Sequence, residues 1–170
     1  MFDWRWDFAF EILPRLLQAT LNTLAAAGIG YGIAVVLGLV FALAQRTPSR
    51  FVTLVVRECV EFIRSTPLVL QIFFVFFVGP QFGIRLSPWV AGMIAIGLHY
   101  SAYLSEVYRG GLEAVPKGQW EACTALNLST TKTYFRVIIP QALPPSLAGM
   151  GNYLVGIFKD TPMLSVIGVA

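Results

Sequence analysis

Charge is what this sequence has least of: 12% of its 170 residues are charged and 56% are hydrophobic, against about 25% and roughly 45–50% in soluble domains. Such a chain belongs in lipid. Two cysteines and a single histidine leave no Cys/His cluster for a metal. No Gly-x-x-x-x-Gly-Lys-Ser/Thr loop is present to hold ATP phosphates, and no nucleophile, base and orienting acid gather on one polar surface. The expectation is a protein that is not itself an enzyme and binds no cofactor of its own. The Lys and Arg residues are dispersed through loops without a run or stripe, which argues against nucleic acid. A removable signal peptide is not expected at the start of the sequence, because Asp3, Asp7 and Glu11 interrupt the basic leader such a segment needs.

What is abundant is apolar sequence. Residues 16–45, 65–84, 86–105 and 137–158 contain no Asp, Glu, Lys or Arg, and a spanning helix needs about 20 mostly apolar residues. Four transmembrane helices are therefore expected, in an all-α membrane protein. Ahead of them, residues 1–17 form a segment in which Trp4, Trp6, Phe8 and Phe10 alternate with charges, suited to an aromatic anchor at the headgroup level or to a frayed tail. Residues 18–170 make up the membrane domain.

Basic residues set the topology. Arg46, Arg50, Arg57 and Arg64 lie in 45–64, and Arg109, Lys117, Lys132 and Arg136 in 106–136; the other side holds Arg5, Arg15, Arg85 and Lys159. Lys and Arg are retained on the cytoplasmic side, so the amino terminus is expected outside and both loops in the cytosol. Cys59 and Cys123 then lie in a reducing compartment, without a disulfide.

The first helix, about 18–45, is rich in Gly and Ala, and Gly28 with Gly32 has the spacing that lets backbones approach closely in lipid. This face is expected to pack on another helix, within the subunit or across a dimer. Pro67 opens the second run and frees backbone carbonyls that must face protein or a watery cavity, making Ser65, Thr66 and Pro67 candidates for pathway lining. Glu61 with Arg64, and Glu106 with Arg109, can pair one helical turn apart. Gly110-Gly111 can absorb a bend where the third span meets the loop. His99 lies inside that span and is by default a functional candidate; Tyr100, Tyr103 or a carbonyl can equally satisfy it, and without an acid in the same span the packing role is preferred. Thr161 precedes Pro162 and is pushed towards an extended conformation, so the fourth helix should end there, with Lys159, Asp160 and Thr161 at the outer mouth or serving as ordinary interfacial residues.

Residues 118–141 are a polar island between two of the apolar runs. Pro116 suits a helix start, and 117–126 can form about two and a half turns. Asn127 tolerates the left-handed conformation that ends such a helix, and Ser129 can cap the next one at Thr130. Trp120, Ala122, Cys123 and Leu126 offer a small apolar face edged by Lys117 and Glu121. The result is a short helix tied by a stiff turn to the fourth span.

This island resembles the "EAA" loop of permease subunits of bacterial ABC importers, in which Glu-Ala-Ala, a Gly four residues after the last Ala, and a later Ile-x-Leu-Pro recur. The positions read Glu121-Ala122-Cys123, Asn127 and Val137-Ile138-Ile139-Pro140. The similarity runs from about residue 13 to residue 170, and permeases for polar amino acids are nearest. The runs Gly-Leu-His-Tyr (97–100), Ala-Leu-Asn-Leu-Ser (125–129), Gly-Asn-Tyr-Leu (151–154) and Phe-Lys-Asp-Thr-Pro (158–162) look most like the ectoine and hydroxyectoine permease.

The resemblance implies the type I importer fold and residues Gly118, Glu121, Ala122, Cys123, Ala125, Asn127 and Pro140 in coupling to an ATPase. It further implies a second permease or a copy of this one, two cytosolic ATPase subunits carrying ATP and Mg, an external substrate-binding protein, and a multi-pass place in the bacterial inner membrane. Such permeases have five helices, so the chain reads as incomplete at its C-terminal end or as the product of a shortened gene. A non-transporting scaffold or sensor, for which the island is only a docking site, is the rival reading. An intramembrane enzyme using His99 with Glu106 or Ser105 lacks a second acid or metal ligand.

Overall fold

The computed structural model describes residues 5–169; Trp4, part of the expected aromatic anchor, lies outside them. Among the described residues the regular structure is helical: α1 (Trp6–Ala44), α2 (Arg50–Ser65), α3 (Leu68–Phe73), α4 (Pro88–Glu113), α5 (Lys117–Ala125), α6 (Thr130–Lys132) and α7 (Ile139–Asp160). α3 continues through a π turn at Phe74–Val78 and a 3-10 turn at Gly79–Phe82, a second π turn at Thr133–Ile138 joins α6 to α7, and a 3-10 turn at Thr161–Ile167 follows α7.

By length and apolarity alone α1 meets the demands of a membrane span, and α2 with the α3 stretch meets them only as a pair bent by 106°. The third and fourth apolar runs lie in α4 and α7, helices of 26 and 22 residues. α1 starts well before residue 18, because the aromatic segment is already helical; Trp6 and Phe10 place their rings 6.4 Å apart on one exposed side.

α4 lies at the centre and touches α1, α2, α3 and α7. In lipid the hydrophobic effect does not drive helices together, so close approach depends on small residues. α1 supplies them at every fourth position: Ala26, Gly30, Ala34, Gly38 and Ala42 are buried. A Cβ at Gly38 would stand 2.9 Å from Leu104 Cβ and from the Ser101 carbonyl oxygen. The expected Gly28–Gly32 face is corrected by this arrangement: both residues are exposed and a Cβ at either meets nothing within 4 Å. Both rows have the right spacing, and the position of α4 selects between them. Tyr31 of α1 reaches across to donate to the Met150 carbonyl of α7 at 3.3 Å.

The second apolar run is broken rather than straight. Thr66 and Pro67 are extended, with ψ of 131° and 136°, as a residue before proline prefers. The carbonyls this break frees are satisfied locally: the Gln71 amide donates to Ile63 O at 2.8 Å and to Thr66 O at 3.1 Å.

Two further expectations are corrected. Gly110-Gly111 makes no bend, because α4 runs on to Glu113; Gly111 instead lets α7 approach, since a Cβ there would collide with Ser146 Oγ and stand 2.9 Å from Ala142 O. Thr161 is right-handed helical, at φ −54° and ψ −34°. Its hydroxyl donates to Phe158 O at 2.9 Å, and Pro162 falls in the first turn of a 3-10 helix, where its missing N–H costs nothing.

Candidate functional site: a cavity between α4 and α7, and the outer face of α5

Between α4 and α7 lies an open cavity of about 650 Å³ lined by His99, Tyr100, Tyr103 and Val107 from one helix and Gly149, Asn152, Tyr153, Gly156 and Asp160 from the other. The positions follow helical spacing, which turns each set to one side of its helix. His99 is 8% exposed, and its ring lies 5.4 Å from Tyr100 and 5.1 Å from Tyr103, centroid to centroid. Tyr153 closes the cluster at 5.3 Å from Tyr103 and 6.2 Å from Tyr100. The Tyr100 hydroxyl donates to Asp160 Oδ2 at 2.6 Å. Gly156 keeps the space open, since a Cβ there would lie 3.1 Å from the Tyr100 oxygen.

His99 therefore has an acidic neighbour after all, supplied by another helix. Its Nδ1 is buried with no hydrogen-bond partner among the described residues, and an unpaired buried polar atom is costly unless something completes it. A carboxylate beside aromatic faces suits an ammonium or other cationic group, through charge-assisted hydrogen bonds and cation–π attraction.

Of the expected pathway residues, His99 and Asp160 line this cavity and the others do not. Lys159 is exposed, and Thr161 is buried beside a separate pocket of about 270 Å³ against α1. Ser65, Thr66 and Pro67 follow in sequence a residue that does touch the lining: the Tyr103 hydroxyl donates to Arg64 O at 3.1 Å, and the Arg64 guanidinium lies 5.4 Å from the Tyr103 ring centre. Asn152 and Tyr153 were not singled out from sequence as site residues. The signal was there in the i, i+3, i+4, i+7, i+11 run of 149, 152, 153, 156 and 160, although it names a face and not what the face meets.

The second feature is α5. Gly118, Glu121, Ala122 and Ala125 fall at i, i+3, i+4 and i+7 and are all exposed, whereas Cys123 is buried and Trp120 half-buried. The apolar face expected from Trp120, Ala122, Cys123 and Leu126 is thus split: Trp120 and Cys123 turn inward, while Ala122 and Leu126 face out. Beneath α5, Val115, Ile138 and Ala142 form a small core with Leu112, Trp120 and Val137 against it, joining the end of α4 to the start of α7.

The turn after α5 has the expected form. Asn127 is left-handed at φ 50°, Leu128 N donates to Cys123 O at 3.0 Å and Asn127 N to Thr124 O at 2.9 Å; this paired closure is the Schellman arrangement. Helix α6 begins at Thr130 as expected, but Ser129 makes no side-chain cap bond. Pro140 is exposed in the first turn of α7. Both expected ion pairs form, Arg64–Glu61 at 3.2 Å and Arg109–Glu106 at 2.6 Å. Hydrogen bonds to Glu106 and then Glu113 hold the Arg109 guanidinium above its ordinary range, and the two ion pairs tie together the last turns of α4.

A bundle of long helices around α4, with a short helix bridging two of them, is the architecture of a type I ABC importer permease. A solved structure described as an amino acid ABC transporter with histidines matches at a TM-score of 0.91 and 30% identity, over 98% of this chain and 78% of that one. The family model for the binding-protein-dependent transport system inner membrane component matches residues 34–170. The probable amino-acid ABC transporter permease protein y4tG of Sinorhizobium fredii (strain NBRC 101917 / NGR234) is 44% identical over 99% of this chain and 76% of its own length. The L-cystine transport system permease protein TcyB of Bacillus subtilis (strain 168) is 36% identical over 97% and 71%. The chain belongs to this family of inner-membrane permease components, among the amino-acid ABC transporter permeases.

Proposed function

We propose that residues 18–170 form half of the pathway by which an ATP-driven importer moves a small polar or zwitterionic solute, an amino acid or an ectoine-like compatible solute, received from an external binding protein. The observation that carries this reading is the cavity in which Asp160, the Tyr100–Tyr103–Tyr153 rings and the unpaired His99 Nδ1 converge. Its 650 Å³ falls in the usual range for small-ligand sites, roughly 300–1,000 Å³. A second permease or a copy of this one closes the pathway from the opposite side. ATP and Mg reside on two cytosolic ATPase subunits that bear on the outer face of α5 through Gly118, Glu121, Ala122 and Ala125, and the Asn127 turn passes their movement to α7.

The test is ATP-dependent uptake by the complete assembly in proteoliposomes, with ectoine, polar amino acids and choline-like solutes as competitors. Uptake competed by zwitterions supports the reading. ATPases that bind without any uptake would favour a docking scaffold instead. The basic asymmetry sets the orientation in the inner membrane, with the amino terminus outside and loops 45–64 and 106–136 in the cytosol. An impermeant thiol reagent should leave intact cells unlabelled and, once the membrane is opened, modify exposed Cys59 ahead of buried Cys123; labelling from outside would invert the topology.

A further inference from the structure

Residues 114–116 tie α5 directly to the end of α4 and the Asn127 turn ties it towards α7, whereas α1, which packs along α4, has no such chain link to α5. The inward side chain of α5 reaches α1 through space instead. The Arg46 guanidinium, just beyond the end of α1, lies 5.7 Å from the Trp120 ring centre, within cation–π range. Tyr134, on the π turn leading into α7, meets the same indole edge-on at 5.5 Å and 80°. Arg46 is itself held in a tied corner. Its N–H donates to Leu43 O at 3.1 Å, and the Thr53 hydroxyl of α2 donates to Thr47 O at 3.2 Å and Gln45 O at 3.4 Å. From this corner α1 runs back along α4 through its row of small residues.

We propose that Trp120, held by Arg46 on one side and Tyr134 on the other, is a transmission joint that delivers a push on α5 to α1 and α7 together: to α7 through Tyr134 and to α1 through Arg46, so that α1 moves with the α4 it packs against. Arg46 and Trp120 are positioning residues for transport. The joint rests on the reading that an ATPase bears on α5. Without the Arg46 arm a push would move α4 and α7 with α1 lagging behind, and hydrolysis would proceed with poorer opening of the cavity.

The experiment measures solute moved per ATP hydrolysed by the whole assembly in proteoliposomes, with co-purification of the ATPase followed in parallel. Arg46→Ala should lower the ratio about two- to fivefold, the size an exposed cation–π contact supports, with the ATPase still bound. Arg46→Lys, which keeps the cation, and Trp120→Phe, which keeps a ring, should retain most of the ratio, and Arg46→Ala added to Trp120→Ala should cost nothing more. A merely structural arginine would not show this pattern. An unchanged ratio in Arg46→Ala, or an equal fall with and without Trp120, would overturn the joint. Arg46 is exposed, so its two variants remain informative even if Trp120→Ala fails to fold. Failure of the ATPase to co-purify with the unsubstituted permease would instead overturn the docking on α5, and the joint with it.

Discussion

The α4–α7 cavity and the outer face of α5 are both polar interruptions in an apolar chain, yet they are built in opposite ways. The cavity sets a buried His99 and a half-buried Asp160 among tyrosine rings, so that hydrogen bonds formed there are stronger than in open water. The α5 face exposes Gly118, Ala122 and Ala125 around one carboxylate, Glu121, and leaves its shape to be read. A small solute is recognised by few strong contacts; a moving protein partner needs a stiff, smooth surface that can be pushed.

The contrast can be broken by substitution, and the largest effect is expected at the surface. Glu121→Lys sets the wrong charge at the centre of the exposed face, and like-charge juxtaposition at an interface costs several kcal/mol; ATPase co-purification and uptake should both be lost while the protein stays in the membrane. Normal uptake would remove α5 from coupling. Asp160→Ala comes next. A hydrogen bond to a charged group contributes about 1.5–3 kcal/mol, so the half-saturating solute concentration should rise about tenfold or more without loss of assembly, and unchanged kinetics would return Asp160 to an interfacial role. Asn127→Val forces a β-branched residue into a left-handed turn at about 1–2 kcal/mol; uptake should fall with solute binding intact, and Asn127→Gly should be near neutral, both read by uptake against binding. Gly28→Ala should be the mildest, shifting thermal unfolding of the detergent-solubilised protein hardly at all, whereas Gly38→Ala overpacks Leu104 and should destabilise by about 1–3 kcal/mol.

Much of α5 was legible in advance because its determinants are local. Pro116, the Lys117–Ala125 helix and the left-handed Asn127 depend on residues within one or two turns of each other, as do the i, i+3 ion pairs of α2 and α4. The cavity was legible only in pieces. His99 stood out as an intramembrane histidine and Asp160 as a charge after the fourth run, but they are far apart in sequence, and no periodicity joins them. The same limit explains α1, whose Gly and Ala residues occur on several faces and offer more than one close-packing row.

From sequence alone came the membrane class, the runs of apolar residues and the short bridging helix with its turn, all consequences of composition and of chemistry within a few residues; the resemblance to importer permeases rested on matching motif residues. Only the tertiary structure decided that α1 presents Ala26, Gly30, Ala34, Gly38 and Ala42 to its neighbour, that Gly111 serves approach and not bending, and that Asp160 and Tyr153 complete the surroundings of His99. Where lipid is as apolar as the side chains, hydrophobicity cannot choose a helix's partner. That choice falls to shape, and shape exists only once the helices stand together.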